Sequence, residues 1–309
     1  MAHAVRPRDL LLLLALGGIW GTAFTFIRIG LDSFSPVLFA AIRFDIVALI
    51  LLGIAALRGK GSLVPRGRRQ WTAVAIASFF NVALYHAFLF WGQQFTAPAI
   101  AAVIVGLNPI ITTVFSRALL SDDRVGIPGV VGLVLGFLGI LLLATLKGGS
   151  LLDAQGLGEL AVIVAVASWA IGSVLVKRSA HGMDVYAFIG WHSLGGALIL
   201  HAASLALEPG ARMVFDRDGV LALLYVAVVS SGLGFVIYFT LIEHIGPIRV
   251  NLVSHIAPVF AALTSIVMLQ TGIELRALFA FVLIASGFAL VTRPAPPKTV
   301  PGKSTPPEP

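Results

Sequence analysis

Pro98-Ala99-Ile100-Ala101-Ala102-Val103-Ile104-Val105-Gly106-Leu107-Asn108-Pro109 has a counterpart 149 residues further on, Pro247-Ile248-Arg249-Val250-Asn251-Leu252-Val253-Ser254-His255-Ile256-Ala257-Pro258. In both stretches two prolines stand in the same register within apolar sequence. Pro98 follows the polar turn Gly92-Gln93-Gln94-Phe95-Thr96-Ala97, and Pro247 follows Glu243-His244-Ile245-Gly246. Proline suits the first turn of a helix, where its missing N–H is not needed. The same offset carries Trp20 to Trp169, Arg28 to Lys177 and Ala48-Leu49-Ile50-Leu51 to Ala197-Leu198-Ile199-Leu200, without a gap. Matches among Leu and Ala arise by chance in such a chain. A Trp and two Pro in register do not, because both residue types are scarce here.

The medium for this repeat is a membrane. Hydrophobic residues make up 58% of the 309 positions and charged ones 11%. Mean hydropathy is +0.99. Apolar stretches of about twenty residues with few charges mark membrane-spanning helices. Ten fit, near 9–30, 36–57, 70–91, 96–118, 126–146, 157–177, 184–207, 218–241, 246–270 and 273–292. The expected fold is an all-α membrane protein of ten transmembrane helices, with a first five-helix repeat over 1–147 and a second over 157–292. An odd number of spans per repeat inverts the second copy relative to the first. Secondary transporters use that design, with the substrate site near the midplane between halves.

Orientation follows the excess of Lys and Arg in cytoplasmic loops. The side holding the N-terminus carries fifteen of the 21 basic residues, including Arg58, Arg66, Arg68 and Arg69 in one loop. The opposite side carries Arg28, Lys147, Arg212, Arg217 and Arg276. Both termini are therefore expected in the cytoplasm of a bacterial cell, with the chain multi-pass in the inner membrane. Leu63-Val64-Pro65-Arg66-Gly67 has the form of a thrombin cleavage sequence, and discounting Arg66 leaves the asymmetry intact. The basic loops face anionic headgroups, which accounts for the net charge of +7 without nucleic acid. Leu10 onward reads as a retained span and not a cleaved signal peptide. The tail 293–309, rich in Pro and polar residues, is expected to be disordered and cytoplasmic. With no cysteine, disulfides and thiolate metal sites are excluded. No metal and no cofactor are expected.

Small residues crowd the spans: Gly17, Gly18 and Gly21 in the first, Gly132 and Gly136 in the fifth, Gly195, Gly196, Gly232 and Gly234 later. They let helix backbones approach where lipid gives no hydrophobic drive for association.

Function is sought among the few polar groups inside spans, since a charge at the bilayer centre costs about 2.5–3.5 kcal/mol on insertion scales. Arg43 and Asp45 lie roughly 10–14 Å along the second helix. Two residues apart, they point to different faces and each needs a partner elsewhere. His192 is the repeat mate of Arg43. Arg43, Asp45, His192 and Glu243 are the coupling or gating candidates, with interhelical ties as the plainer reading. The cavity candidates are Trp20, Phe24, Tyr85, His86, Asn108, Trp169, Tyr238, Asn251, Ser254 and His255. Trp20 and Trp169 sit too near the midplane to belong to an interfacial aromatic belt. Asn108-Pro109 and the segment Asn251–Pro258 read as broken helix, where freed carbonyls can meet a substrate. Lone membrane histidines such as His86, His201 and His255 also serve as helix ties.

These residues resemble the drug/metabolite transporter superfamily, EamA type. The likeness runs from Leu10 to Thr292 through Trp20-Gly21-Thr22-Ala23-Phe24, Arg43-Phe44, Pro98 and Pro109, and the two five-span repeats. Families of this kind carry a Glu after spans four and nine, where this chain has Asp122-Asp123 and Gln270 with Glu274 beyond. The nearest resemblance is to YddG-type bacterial amino-acid exporters. It implies alternating-access export of small neutral or zwitterionic metabolites, amino acids including aromatic ones, by a monomer in the lipid bilayer. The superfamily equally includes carriers of drugs, nucleotide sugars and purine-like metabolites. A diphosphate would call for several cavity cations, and Arg43 alone lies well inside a span. An enzyme is not expected, since no HExxH, GxSxG or Asp-rich prenyl-diphosphate motif is present. A channel would differ from a carrier in lacking saturation and counterflow.

Overall fold

The computed structural model describes residues 7–59, 61–120, scattered positions within 131–142, 153–176, 183–245, 250, 253–272 and 275–291. Nine helices run through the described residues. They are α1 (Pro7–Gly30), α2 (Pro36–Arg58), α3 (Gly67–Gly92), α4 (Pro98–Ser116), α5 (Ala154–Val176), α6 (Val185–Leu207), α7 (Arg217–Tyr238, continued helically to Ile245), α8 (Val253–Leu269) and α9 (Leu275–Val291). The first seven are long and apolar enough to cross a membrane. The fifth expected span, 126–146, falls mostly outside the described residues, as does the tail 293–309. Among the described residues no strand forms beyond two isolated bridges. Exposed Leu49, Leu198, Leu205 and Val267 give the outer surface the apolar character that lipid requires.

Local chemistry sets the helix starts. Ser35 and Ala97 are extended and lead into Pro36 and Pro98. At the positions of the second half, side chains cap instead. Asp184 accepts from the Ala187 N–H at 3.0 Å and Asp216 from the Gly219 N–H at 2.7 Å. At its far end α2 is closed by Gly59, whose φ of 58° a glycine takes without strain.

The packing follows the repeat. Taking α1, α2, α3 and α4 as mates of α5, α6, α7 and α8, the main contacts between halves recur, while α2 on α3 and α1 on α4 have no counterpart of like extent among the described residues. α1 lies on α8 as α5 lies on α4; α3 lies on α5 as α7 lies on α1; α2 and α6 pack on each other along their lengths. Most of these contacts join opposite halves. They are close because the glycines allow it. A Cβ on Gly21 would strike the Ala257 carbonyl, and one on Gly17 would strike Ile256. A Cβ on Gly92 would lie 2.6 Å from the Gly158 oxygen, and one on Gly287 2.5 Å from the Gly132 oxygen. Thr25 and Thr264 add a hydroxyl–hydroxyl bond of 2.7 Å between α1 and α8.

The two bridges lie in repeat-related loops, one antiparallel and one parallel. Phe34 pairs with Met213, and Ser62 pairs with Met183, 149 residues beyond Phe34. One joins the loops 31–35 and 208–216, the other the loops 59–66 and 183–184. They mark the two ends of the bundle. At the first end the Ser35 N–H donates to the Arg212 carbonyl (2.9 Å) and the Val214 N–H to the Ser33 carbonyl (3.0 Å). At the second, the Trp191 indole donates to the Leu63 carbonyl at 2.8 Å.

Candidate functional site

α3 and α7 each contain a π-helical stretch, Ala77–Leu84 and Tyr225–Leu233. The offset of 149 residues superposes them to within one position. The residue after each closes an i→i−5 bond: Tyr85 N–H to the Phe80 carbonyl, Gly234 N–H to the Val229 carbonyl. An inserted residue of this kind re-aims the side chains that follow, and such turns concentrate at functional sites.

Tyr85 and Gly234 are therefore repeat mates, and each faces one of the paired tryptophans. The ring of Trp169 is 5.0 Å from that of Tyr85, tilted by 59°. Trp20 lies over Gly234, where a Cβ would stand 2.6 Å from its indole nitrogen. That nitrogen donates to the Ser230 carbonyl at 3.0 Å. Tyr238 (5.4 Å) and Phe235 (6.3 Å, edge-on) complete the aromatic wall. In the other half Asn81, mate of Ser230, donates to the Trp169 carbonyl at 2.9 Å and to Ser173 at 3.2 Å.

Arg43 lies between these walls. It is 8% exposed. Its Nε and Nη2 donate to the Ser231 hydroxyl at 3.2 and 2.9 Å, and that hydroxyl donates to the Val226 carbonyl at 3.0 Å. Its guanidinium stands 5.2 Å from the Phe44 ring and 5.7 Å from the Phe90 ring. No carboxylate pairs with it among the described residues. His86 packs edge-on against Phe44 at 4.4 Å and Tyr85 at 4.6 Å. Its Nδ1 donates to the Val82 carbonyl at 3.0 Å. His192 stacks obliquely on Phe188 at 5.0 Å, and its buried Nδ1 has no hydrogen-bond partner among the described residues.

Other candidates lie elsewhere. Asp45 turns away from Arg43 and takes His201 Nε2 at 2.7 Å, with both side chains partly exposed beside outward-facing Leu49 and Leu198. Phe24 is buried in the main apolar core, and its carbonyl accepts from Gln93 at 3.1 Å. Asn108 Oδ1 accepts from Thr112 at 2.9 Å within α4. Pro109 and Pro258 have no N–H for the carbonyls four residues earlier, Val105 and Ser254, which are themselves repeat mates. The Ser254 carbonyl lies 3.6 Å from where a Cβ on Gly106 would stand, so α4 and α8 cross at these breaks. Asn251 lies outside the described residues, as do the side chains of Glu243 and His255. The neighbour of Glu243, His244, bonds Asp9 at 2.9 Å.

The model of the EamA-like transporter family matches residues 8–145 and again 156–293. The chain belongs to the EamA-like transporter family. The uncharacterized inner membrane transporter YedA of Escherichia coli is 30% identical over 262 residues, covering 84% of this chain and 81% of YedA. A chloroplastic WAT1-related protein of Arabidopsis thaliana is 28% identical over 251 residues, covering 79% of this chain. The chain spans 60% of that relative's length. A crystal structure of a 23% identical protein matches with a TM-score of 0.65 over 93% of this chain and 97% of its own. That likeness shows the fold.

For this EamA-like transporter, residue-by-residue reading missed Ser231, Asn81 and Ser230, and read Gly234 only as a small packing residue. Only Gly234 had a signal within reach, as the repeat mate of Tyr85. The serines and Asn81 read as ordinary small polar residues of a packed helix.

Proposed function

We propose that the chain is an alternating-access carrier of ten spans in two inverted five-helix repeats. It exports small neutral or zwitterionic metabolites, amino acids with aromatic side chains among them, across a bacterial inner membrane. Both termini are cytoplasmic, and a monomer supplies the whole pathway. The observation that carries this reading is the line of residues between the halves. Trp169 meets Tyr85, Tyr85 meets His86, Arg43 bonds Ser231, and Trp20, beside Tyr238, bonds the carbonyl of the neighbouring Ser230. Aromatic rings at both ends suit an apolar side chain. One buried guanidinium held by a neutral hydroxyl suits one carboxylate. A single cation favours a substrate with one negative charge over a diphosphate. The pairing of helices across halves supplies two bodies able to rock about this line.

Counterflow in proteoliposomes tests the reading. Unlabelled tryptophan inside should stimulate saturable uptake of trace labelled tryptophan, and Trp169→Ala should abolish that stimulation. Absence of counterflow with every amino acid would remove them as substrates and leave the fold untouched.

A further inference from the structure

At the end of the bundle away from the chain termini, a cleft of about 360 Å³ opens between the end of α1, the turn before α4 and the end of α8. Arg28, Asp32, Gln94, Thr96, Pro98 and Thr271 line it, with Phe95 and Leu269 as apolar walls. Arg28 Nη1 meets Asp32 Oδ1 at 2.9 Å, one turn apart on the same face. The pair is open to solvent, with Asp32 74% exposed, so separating the two charges costs little. Thr96 is only 4% exposed, yet its hydroxyl has no hydrogen-bond partner among the described residues. A buried hydroxyl without a partner is costly, and its residue is one of those lining the cleft. The first turn of α4 begins at Pro98, two residues on, so the positive dipole end of that helix lies at the same wall.

We propose that this cleft is a second binding site, for a zwitterion bearing a carboxylate and an ammonium. The carboxylate takes the free donors of Arg28 and the Thr96 hydroxyl, at the positive end of α4. The ammonium takes Asp32, and Phe95 and Leu269 cover the apolar part. The Arg28–Asp32 pair opens to receive opposite charges, so the ligand replaces one ion pair with two. A polyanion is rejected by Asp32 and a simple cation by Arg28. That this ligand is also the cargo rests on the carrier reading, with the cleft as the vestibule on the outer face.

The test is equilibrium binding of labelled tryptophan to the full chain in phosphatidylglycerol nanodiscs, whose lipids carry no ammonium. The wild type should bind two equivalents, and Trp169→Ala should keep one. Adding Arg28→Gln or Asp32→Asn to Trp169→Ala should weaken the remaining equivalent about tenfold or more. Tryptamine and indole-3-propionate, each with one of the two charges, should compete about tenfold less well than tryptophan. In the otherwise wild-type chain, Thr96→Val should weaken one equivalent and spare the other. Binding indifferent to both charge variants, or lost entirely in a folded Trp169→Ala chain, would overturn the proposal. So would displacement of tryptophan by added phosphatidylethanolamine, which would make a lipid headgroup the occupant. Binding at the cleft without counterflow by the wild type would sink the carrier reading and keep the site. Counterflow with no cleft binding would do the reverse.

Discussion

Trp169 rests against Tyr85 at a centroid distance of 5.0 Å, and Trp20, its mate in the repeat, rests against Gly234. The same backbone position carries a phenol on one side and, on the other, no side chain, its space taken by the Trp20 indole. The repeat-related walls of the line between the halves are not chemically equal.

That inequality predicts unequal mutants. Aromatic contacts of this kind contribute about 0.5–1.5 kcal/mol, or roughly two- to tenfold in affinity. Tyr85→Ala should raise the half-saturation for tryptophan by that factor and leave threonine almost unchanged. Gly234→Ala should act differently. It pushes the Trp20 indole off the Ser230 carbonyl and should slow exchange of every substrate. Counterflow rates for the two amino acids in each variant check this.

Arg43 should report on the substrate's carboxylate. Arg43→Gln should reduce exchange of tryptophan by about tenfold or more while sparing tryptamine. Arg43→Lys should not restore it, because an ammonium cannot reproduce the guanidinium's two contacts with Ser231 or its placement over Phe44 and Phe90. Equal loss of both substrates in Arg43→Gln would make the residue a helix tie.

Asp45 and His201 face outward, away from the aromatic line. Exchange should therefore survive Asp45→Asn within about a factor of two, since surface changes away from special features are usually small. Measuring counterflow together with uptake driven by an imposed pH gradient separates exchange from coupling. A variant that still answers the gradient would clear Asp45 of a coupling role.

Close helix contacts predict where stability resides. Gly21→Ala places a methyl against the Ala257 carbonyl and should destabilise by about 1–3 kcal/mol. A Cβ on Gly53 meets nothing within 4 Å, so Gly53→Ala should be neutral or slightly stabilising. Thermal unfolding of the two variants side by side gives the comparison.

Acid sensitivity should arise partly at Asp216. The Gly219 N–H and then the Ser33 hydroxyl hold its carboxyl below the usual 3.8. The folded value lies below the unfolded one. The contribution is therefore complete above pH 3.8 and fades as pH falls through the folded value. Asp216→Asn should remove this part of the acid dependence, seen as a shallower fall in melting temperature as pH drops below about 4.

The repeat, the helix starts at Pro36 and Pro98 and the small-residue contacts were legible in the sequence because each rests on local chemistry. Periodicity, scarce residues and the missing N–H of proline need no partner to be read. Trp20, Tyr85, Trp169, Tyr238 and Arg43 stood out as large or charged groups in apolar helices, and the structure sets Trp169 against Tyr85 and Trp20 against Tyr238. The separation of Asp45 from Arg43 followed from helical spacing. What could not be read was set by π-helical turns, which rotate everything after them and leave no compositional trace. The roles of Ser231 and Asn81 depend on that rotation. The pairing of Asp45 with His201 depends on the α2–α6 contact, which only the assembled bundle supplies.

The start of α2 shows how far the two halves depend on each other. Ser35 makes no side-chain cap. Instead Glu208, from the other half, accepts the Val37 and Leu38 N–H groups at 2.9 and 3.0 Å, steadied by the Ser204 hydroxyl at 2.7 Å. A five-span fragment would leave those amides without an acceptor. The dependence runs one way at these positions: the first copy cannot finish the start of its own α2, while Asp184 and Asp216 let the second copy cap its own helices.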